Sequence, residues 1–322
     1  METKNNWKAW LYLAPVIILM AVFTFYPIIN TIGISFLKNY DSIQKTYDGF
    51  TFDNYLEILM LKPKTIIEIP GTEVHMEIFI EDFIKTALPN TLILTFITVP
   101  LSILIALAIA IALNSIKPLK KILQTIFFMP YVTNAIAIGM VFSVIFDNNG
   151  IFNFIFGLRD HSWIYAGSTG QNPTYWSALF ALCFYIIWHS LPYKILIFLG
   201  GLQNIDQQYY DAAKVDGSSK WKVVRKIMVP LLSPQILYVM ITSFIGAFKE
   251  YTSVVALFGN EGSFQGGTGM PTSMLTVVYY IYDQMSQSNT LQYAAASAVI
   301  LFIIILIFTG IQKFVASKRV HY

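Results

Sequence analysis

Residues 204–234 read NIDQQYYDAAKVDGSSKWKVVRKIMVPLLSP. This stretch is too polar to lie in lipid and too patterned to be a plain connector. Asp206 is placed to cap a helix beginning at Gln207, because its carboxylate can accept a free N–H of the first turn. Residues 207–215 are good helix formers. Gly217 is placed to end that helix, since glycine takes the left-handed C′ conformation at little cost. Ser218 or Ser219 can cap a second helix over 220–228. Pro230 and Pro234 then mark the start of the next apolar segment, where proline is tolerated in a first turn. The reading is helix, glycine elbow, helix, with Lys220, Lys222, Arg225 and Lys226 able to sit near anionic headgroups. Physical chemistry leaves two roles open for it. One is an amphipathic helix lying at a membrane surface; the other is a short exposed helix that fits a cleft in another protein.

On both sides of this stretch the chain is overwhelmingly apolar. Of 322 residues, 56% are hydrophobic and 12% charged, with a mean hydropathy of +0.59; a soluble domain carries roughly 25% charged residues. Crossing the hydrocarbon core takes about 20 mainly apolar residues. Six stretches qualify: 10–36, 86–114, 121–146, 175–202, 232–258 and 292–317. The first is too long for a signal peptide and has no small-residue cleavage site after it, so it reads as an uncleaved span. Lys and Arg set the orientation. With the N-terminus inside, the inner segments hold thirteen basic residues and the outer loops six, namely Lys38, Lys45, Lys62, Lys64, Lys85 and Arg159, while Lys194 and Lys249 lie within spans. Six spans with both termini cytoplasmic are therefore expected. The long outer segment, 38–85, is acidic and contains Tyr, Phe and Ile, which predicts local structure. No internal repeat supports an inverted-repeat carrier.

The chain offers little for enzymatic chemistry. Its one cysteine, Cys183, sits in an apolar run and cannot form an internal disulfide. His75, His161, His189 and His321 are far apart and show no metal-ligand spacing. There is no Gly-rich phosphate loop. The polar residues within the spans are more informative, because charge at membrane depth is costly and points to function. Lys249 and Glu250 are neighbours in the fifth span and project in different directions. Lys194 follows Pro192 in the fourth span, where its stem is expected to snorkel toward the cytoplasm. Trp188, His189, Tyr251 and Thr252 supply aromatic faces and polar groups of the kind a sugar site uses, although interfacial belts use the same residues. Asn90 and Asn134 are candidates for interhelical hydrogen bonds.

One resemblance goes further. Asp211-Ala212-Ala213, Asp216-Gly217, Ile227 and Val229-Pro230 resemble the EAA loop of ABC importer permeases, with Gly217, Ile227 and Pro230 at the family's spacing. Asp211 stands where that pattern has Glu, and Val229 where it has Leu. Phe52-Asp53-Asn54-Tyr55, Asn90-Thr91, Phe127-Phe128-Met129-Pro130, Gly150-Ile151-Phe152-Asn153 and Leu199-Gly200-Gly201-Leu202-Gln203 are similar to the carbohydrate-uptake branch, the first permease of maltose, multiple-sugar or glycerol-phosphate systems. The segment 266–272, Gly-Gly-Thr-Gly-Met-Pro-Thr, departs from that branch's Gly-Gly-Pro. The resemblance implies an all-α integral membrane protein with six transmembrane helices and a cytoplasmic coupling loop, a MetI-like transmembrane domain. It implies an N-terminal span plus outer loop (1–85), a transport domain (86–317) and a cytoplasmic tail (318–322), in a bacterial cell membrane. It implies no cofactor on this chain, with ATP and magnesium on two nucleotide-binding subunits. A second, different permease chain and an extracytoplasmic solute-binding protein complete the machine, with lipid but no nucleic acid as a further partner. The coupling residues it marks are Asp211, Ala212, Ala213, Asp216, Gly217, Ile227 and Pro230. The candidate substrate path is Trp188, His189, Lys249, Glu250, Tyr251 and Thr252. Two alternatives stand beside sugar import: the same machine carrying glycerol phosphate or another polar solute, and a secondary transporter driven by an ion gradient.

Overall fold

A computed structural model describes residues 6–68, 75–78, 80–116, 120–158, 161–164, 173–259, 274–287 and 289–317. Lys117, Arg159, the 266–272 segment, His321 and the 318–322 tail lie outside these residues. The elements follow in chain order: α1 (Trp10–Ser35), α2 (Asp53–Ile58), β1 (Thr65–Glu68), β2 (His75–Ile78), α3 (Asp82–Ser115), α4 (Lys120–Val132), α5 (Ala135–Ile145), α6 (Ile151–Phe156), α7 (Tyr175–Gln203), α8 (Gln207–Val215), α9 (Lys220–Leu231), α10 (Ser233–Phe248), α11 (Thr252–Phe258), α12 (Val277–Ser286) and α13 (Leu291–Ser317). Among the described residues, the apolar stretches are built of helices. The 38–85 segment adds a short antiparallel pair, β1 and β2, with Thr65 opposite Ile78 and Glu68 opposite His75.

Among the described residues, four helices are long and apolar enough to span: Trp10–Ser35, Asp82–Ser115, Tyr175–Gln203 and Leu291–Val315. Two of the expected spans are not single rods. The 121–146 stretch is a pair of helices, α4 and α5, bent by 99°. Asn134 makes the break. Its backbone is extended (ψ 124°) and its side chain accepts the N–H groups of Ile136 and Ala137, so a new helix begins there. Asn134 is therefore an N-cap and not the interhelical bond expected of it. The 232–258 stretch ends as α10 at Phe248, and α11 starts at Thr252 after a non-helical link. In turn α10 is joined to α9 across a 67° bend at Leu232. If each bent pair counts as one span, the total reaches six.

The chain divides into two compact units. The first comprises Met1–Ile84 and Tyr280–Ile303. Its clearest fastening is at the end of α1. The Asn54 amide donates to the carbonyls of Ser35 and Leu37, each at 2.9 Å, and Tyr55 Oη lies 2.6 Å from Ser35 Oγ. Phe36 packs its ring 5.1 Å from that of Phe52. The quartet Phe52-Asp53-Asn54-Tyr55 thus caps the helix that precedes it. Its remaining member, Asp53, pairs with Lys62 at 2.8 Å, and that hydrogen bond holds the Asp53 carboxyl below the usual aspartate range. Farther along, Tyr293 Oη donates to Glu57 at 2.6 Å.

The second unit comprises Lys85–Tyr279 and Ile304–Tyr322. Its spine is α3 against α7. At one end of this pair Ala106, Ala110 and Leu113 of α3 meet Ile195, Phe198 and Leu202 of α7, with Leu232 and Val239 closing the cluster. At the other end Leu94 meets Ala178, Leu182 and Tyr185, and α5 and α11 join through Phe142, Val254 and Leu257. Small residues allow the closest crossings, because van der Waals packing and not water exclusion drives helix association in lipid. A Cβ on Gly139 would overlap that of Ala256, and one on Gly201 would come within 2.6 Å of Leu232 Cδ2.

Among the described residues, three π-helical turns punctuate the helices: Ala21–Phe25, Asp82–Ala87 and Val224–Met228. Each ends two residues before a proline: Pro27, Pro89 and Pro230. Proline has no N–H to give the carbonyl four residues back, and its ring crowds that group. A wide turn moves the crowded carbonyl aside and keeps its neighbours bonded; the Tyr26 N–H reaches Ala21 O, and the Val229 N–H reaches Val224 O.

Candidate functional site

Within the second unit, α3, α4, α7 and α10 line an open cavity of about 320 Å³. The α7 wall is Ile186, His189, Ser190, Tyr193 and Lys194, spaced so that all fall on one helical face. The α10 wall is Thr242, Ser243, Gly246 and Ala247, with Glu250 just beyond the helix end. Thr98 and Val99 of α3 and Tyr131 of α4 complete it. Hydroxyl groups dominate the polar lining. The rings of Tyr131 and Tyr193 stack with centroids 5.9 Å apart, and Tyr193 Oη lies 3.1 Å from Tyr238 Oη. Lys194 is buried, with its Nζ donating to Ser102 Oγ of α3 and, at 3.1 Å, to Ser190 Oγ. It does not snorkel outward: the α3–α7 contact encloses its stem, and two hydroxyls receive its ammonium.

The sequence-stretch candidates divide between wall and scaffold. His189 and Glu250 line the cavity. Glu250 Oε1 accepts the Ser253 N–H at 3.0 Å, and the Glu250 carbonyl accepts from Thr276 Oγ1 at 2.6 Å, so this residue holds the link between α10 and α11 in place. Trp188 turns away and packs on Phe142, with ring centroids 5.0 Å apart. Tyr251 packs on Tyr279 at 5.5 Å. Lys249 and Thr252 are exposed and are not part of the cavity wall. Thr98, Tyr131, Tyr193, Thr242 and Ser243 line it without having been singled out. The signal for the α7 set was the spacing 186, 189, 190, 193, 194.

The second site is the elbow between α8 and α9. Asp206 accepts the Gln208 N–H at 2.9 Å and caps α8. Gly217 has φ +62°; its N–H reaches Lys214 O at 3.1 Å, and the Ser218 N–H reaches Ala213 O at 2.9 Å. These two bonds are the Schellman pattern, and they need a left-handed residue at position 217. Ser219 caps α9 through the Lys222 N–H. The second helix runs on to Leu231, three residues beyond the expected 228, because the π turn before Pro230 keeps the chain helical. Asp206, Tyr209, Ala213, Asp216, Lys222 and Ile227 border a hollow of about 500 Å³ on this elbow. Apolar groups project from it: Val215 is 88% exposed and Trp221 73%. Burial raises the pKa of Tyr210, whose hydroxyl has no hydrogen-bond partner in the structure. Among the described residues, no three His, Cys, Asp or Glu stand together as a metal site.

Residues 99–321 match the family described as the inner membrane component of binding-protein-dependent transport systems. The chain belongs to this family. As an inner-membrane transport component it is similar to the arabinooligosaccharides transport system permease protein AraP of Halalkalibacterium halodurans, with 28% identity across 96% of this chain and 87% of the relative. It is also similar to the lactose transport system permease protein LacF of Rhizobium radiobacter, at 28% across 97% of this chain and 95% of that one. Among solved structures, a chain of a bacterial alginate ABC transporter, in complex with an alginate pentasaccharide-bound periplasmic protein, shares its fold with a TM-score of 0.73 at 18% identity. That match covers 98% of this transport component and 96% of the alginate chain. The component has no ATPase site of its own in its family role; it contributes the membrane part.

Proposed function

We propose that this chain is one of two permease subunits of an ATP-driven importer, and that it passes a sugar or oligosaccharide handed over by an extracytoplasmic binding protein. The relatives named for arabinooligosaccharides and lactose support the substrate class. The stacked tyrosines and hydroxyl-rich lining give that class aromatic faces and hydrogen-bond partners. Six spans, with 1–85 as an N-terminal span plus outer segment, 86–317 as the transport domain, and both termini cytoplasmic including the 318–322 tail, suit the basic-residue distribution. Two separate nucleotide-binding subunits hold ATP and magnesium. The 204–234 elbow docks to one of them, through Asp211, Ala212, Ala213, Asp216 and Gly217, with Ile227 and Pro230 fixing the second arm.

The observation that carries this reading is continuity. The elbow's second arm, α9, leads through the bend at Leu232 directly into α10, a wall of the cavity. Closure of the ATPase pair against the elbow would therefore move α10, a rigid-body switch between two packings. The first test is capture of the chain from native membranes in mild detergent. A second permease and an ATPase are expected to co-purify, with ATP hydrolysis stimulated by loaded binding protein. A chain that elutes alone and transports on an ion gradient would refute the proposal. A finer test is Gly217→Val. Open space surrounds a Cβ at 217, but φ +62° is unfavourable for a β-branched residue. That variant is expected to insert and assemble while losing stimulated hydrolysis and uptake.

A further inference from the structure

We propose that Lys194 selects, within the sugar class, a ligand bearing a carboxylate, a unit of the uronic-acid kind; this rests on the sugar-import reading above. The residue is 5% exposed. Its ammonium carries three hydrogens, and two of them go to Ser102 Oγ and Ser190 Oγ, both neutral acceptors. The side chain is also part of the cavity wall, and in the proposed arrangement its third hydrogen goes to whatever fills the cavity. A buried ammonium with no counter-charge is costly. Glu250, the acid that lines the cavity just beyond α10, is engaged with the Ser253 N–H, and among the described residues Lys194 itself takes part in no ion pair. The charge that balances Lys194 is thus left for the ligand to bring. Among the described residues, Lys194 is the one lysine or arginine lining the cavity. A single ammonium matches one carboxylate. A phosphate monoester, with nearly twice the charge, is better served by an arginine fork or several cations.

The test uses the complete importer in proteoliposomes: this chain, its partner permease, the ATPases and the binding protein. Initial rates of ATP-driven uptake are measured for a neutral disaccharide, its matched uronate and a sugar phosphate. Uptake is expressed per loaded binding protein, so that the binding protein's own preference divides out. The wild type is expected to favour the uronate in kcat/KM. In Lys194→Met the uronate-to-neutral ratio is expected to fall about tenfold or more, the scale of one charge-assisted hydrogen bond, and Lys194→Arg to restore part of it. Should Lys194→Met fail to assemble, Lys194→Gln carries the same test. An unchanged ratio, an equal fall for both sugars, or a preference for the sugar phosphate would overturn the inference while leaving sugar import standing. A wild-type importer that moves none of these sugars but drives some other solute with ATP would instead remove the sugar reading, and the inference with it.

Discussion

Asn90 carries two tertiary fastenings on one side chain. Its amide nitrogen donates to Leu275 O at 3.0 Å, and its carbonyl oxygen accepts from Tyr175 Oη at 2.8 Å. Next to it, Thr91 Oγ1 accepts the Val277 N–H at 2.9 Å. Three segments distant in sequence are thus tied at one level of α3, and all of these groups are buried or nearly so. Replacing Asn90 with Ala removes both partners at once and leaves Tyr175 Oη and Leu275 O to find others. A loss of about 1–3 kcal/mol is expected from orphaned buried polar groups, at the lower end if lipid-facing alternatives re-form. Thermal unfolding of the purified chain in detergent would show it as a lowered midpoint, and an unchanged midpoint would mean the three segments are held elsewhere. The sequence marked Asn90 as a bonding group but could not name Tyr175 or Leu275, because partners 85 and 185 residues away leave no local trace.

At the level of elements, two neighbouring glycines show how differently one residue type is used. Gly200 has open space where a Cβ would stand, whereas a Cβ on Gly201 would press on Leu232. Leu232 is fully buried at the bend between α9 and α10, against α7. Gly201 therefore seats the pivot of the proposed lever. Gly201→Val is expected to displace Leu232 and change the α9–α10 angle, cutting ATP-driven uptake severely, while Gly200→Val leaves uptake near wild type. Similar uptake by the two variants would show that the seat of Leu232 is irrelevant to coupling. Caps and elbow were legible beforehand, since Asp206, Gly217 and Ser219 act within a few residues of themselves. The 99° break at Asn134 was not, since an Asn inside an apolar run reads equally as a buried hydrogen-bonding group.

For the molecule as a whole, hydropathy located the four long apolar helices and the two bent pairs that could make up six spans, yet it registers composition and not direction. It could not separate the continuous α7 from the broken 121–146 and 232–258 stretches. It also placed Lys194 at an interface, because a lysine's burial depends on Ser102, a residue on another helix. A topology test belongs at this scale. With Cys183 replaced by Ala, single cysteines at positions 8 and 313 are expected to react only with a membrane-permeant thiol reagent in intact cells, and one at position 45 also with an impermeant one. Labelling of 8 and 313 from opposite sides would contradict an even number of spans. The three π turns bear on comparison between relatives. Each inserts about one residue into a helix, which rotates everything after it by about 100°. A homologue lacking one residue in 224–228 would show a single-position gap in alignment, easily dismissed as noise. In three dimensions that gap would be a change of phase, aiming the same elbow residues at a different quarter of the helix circumference.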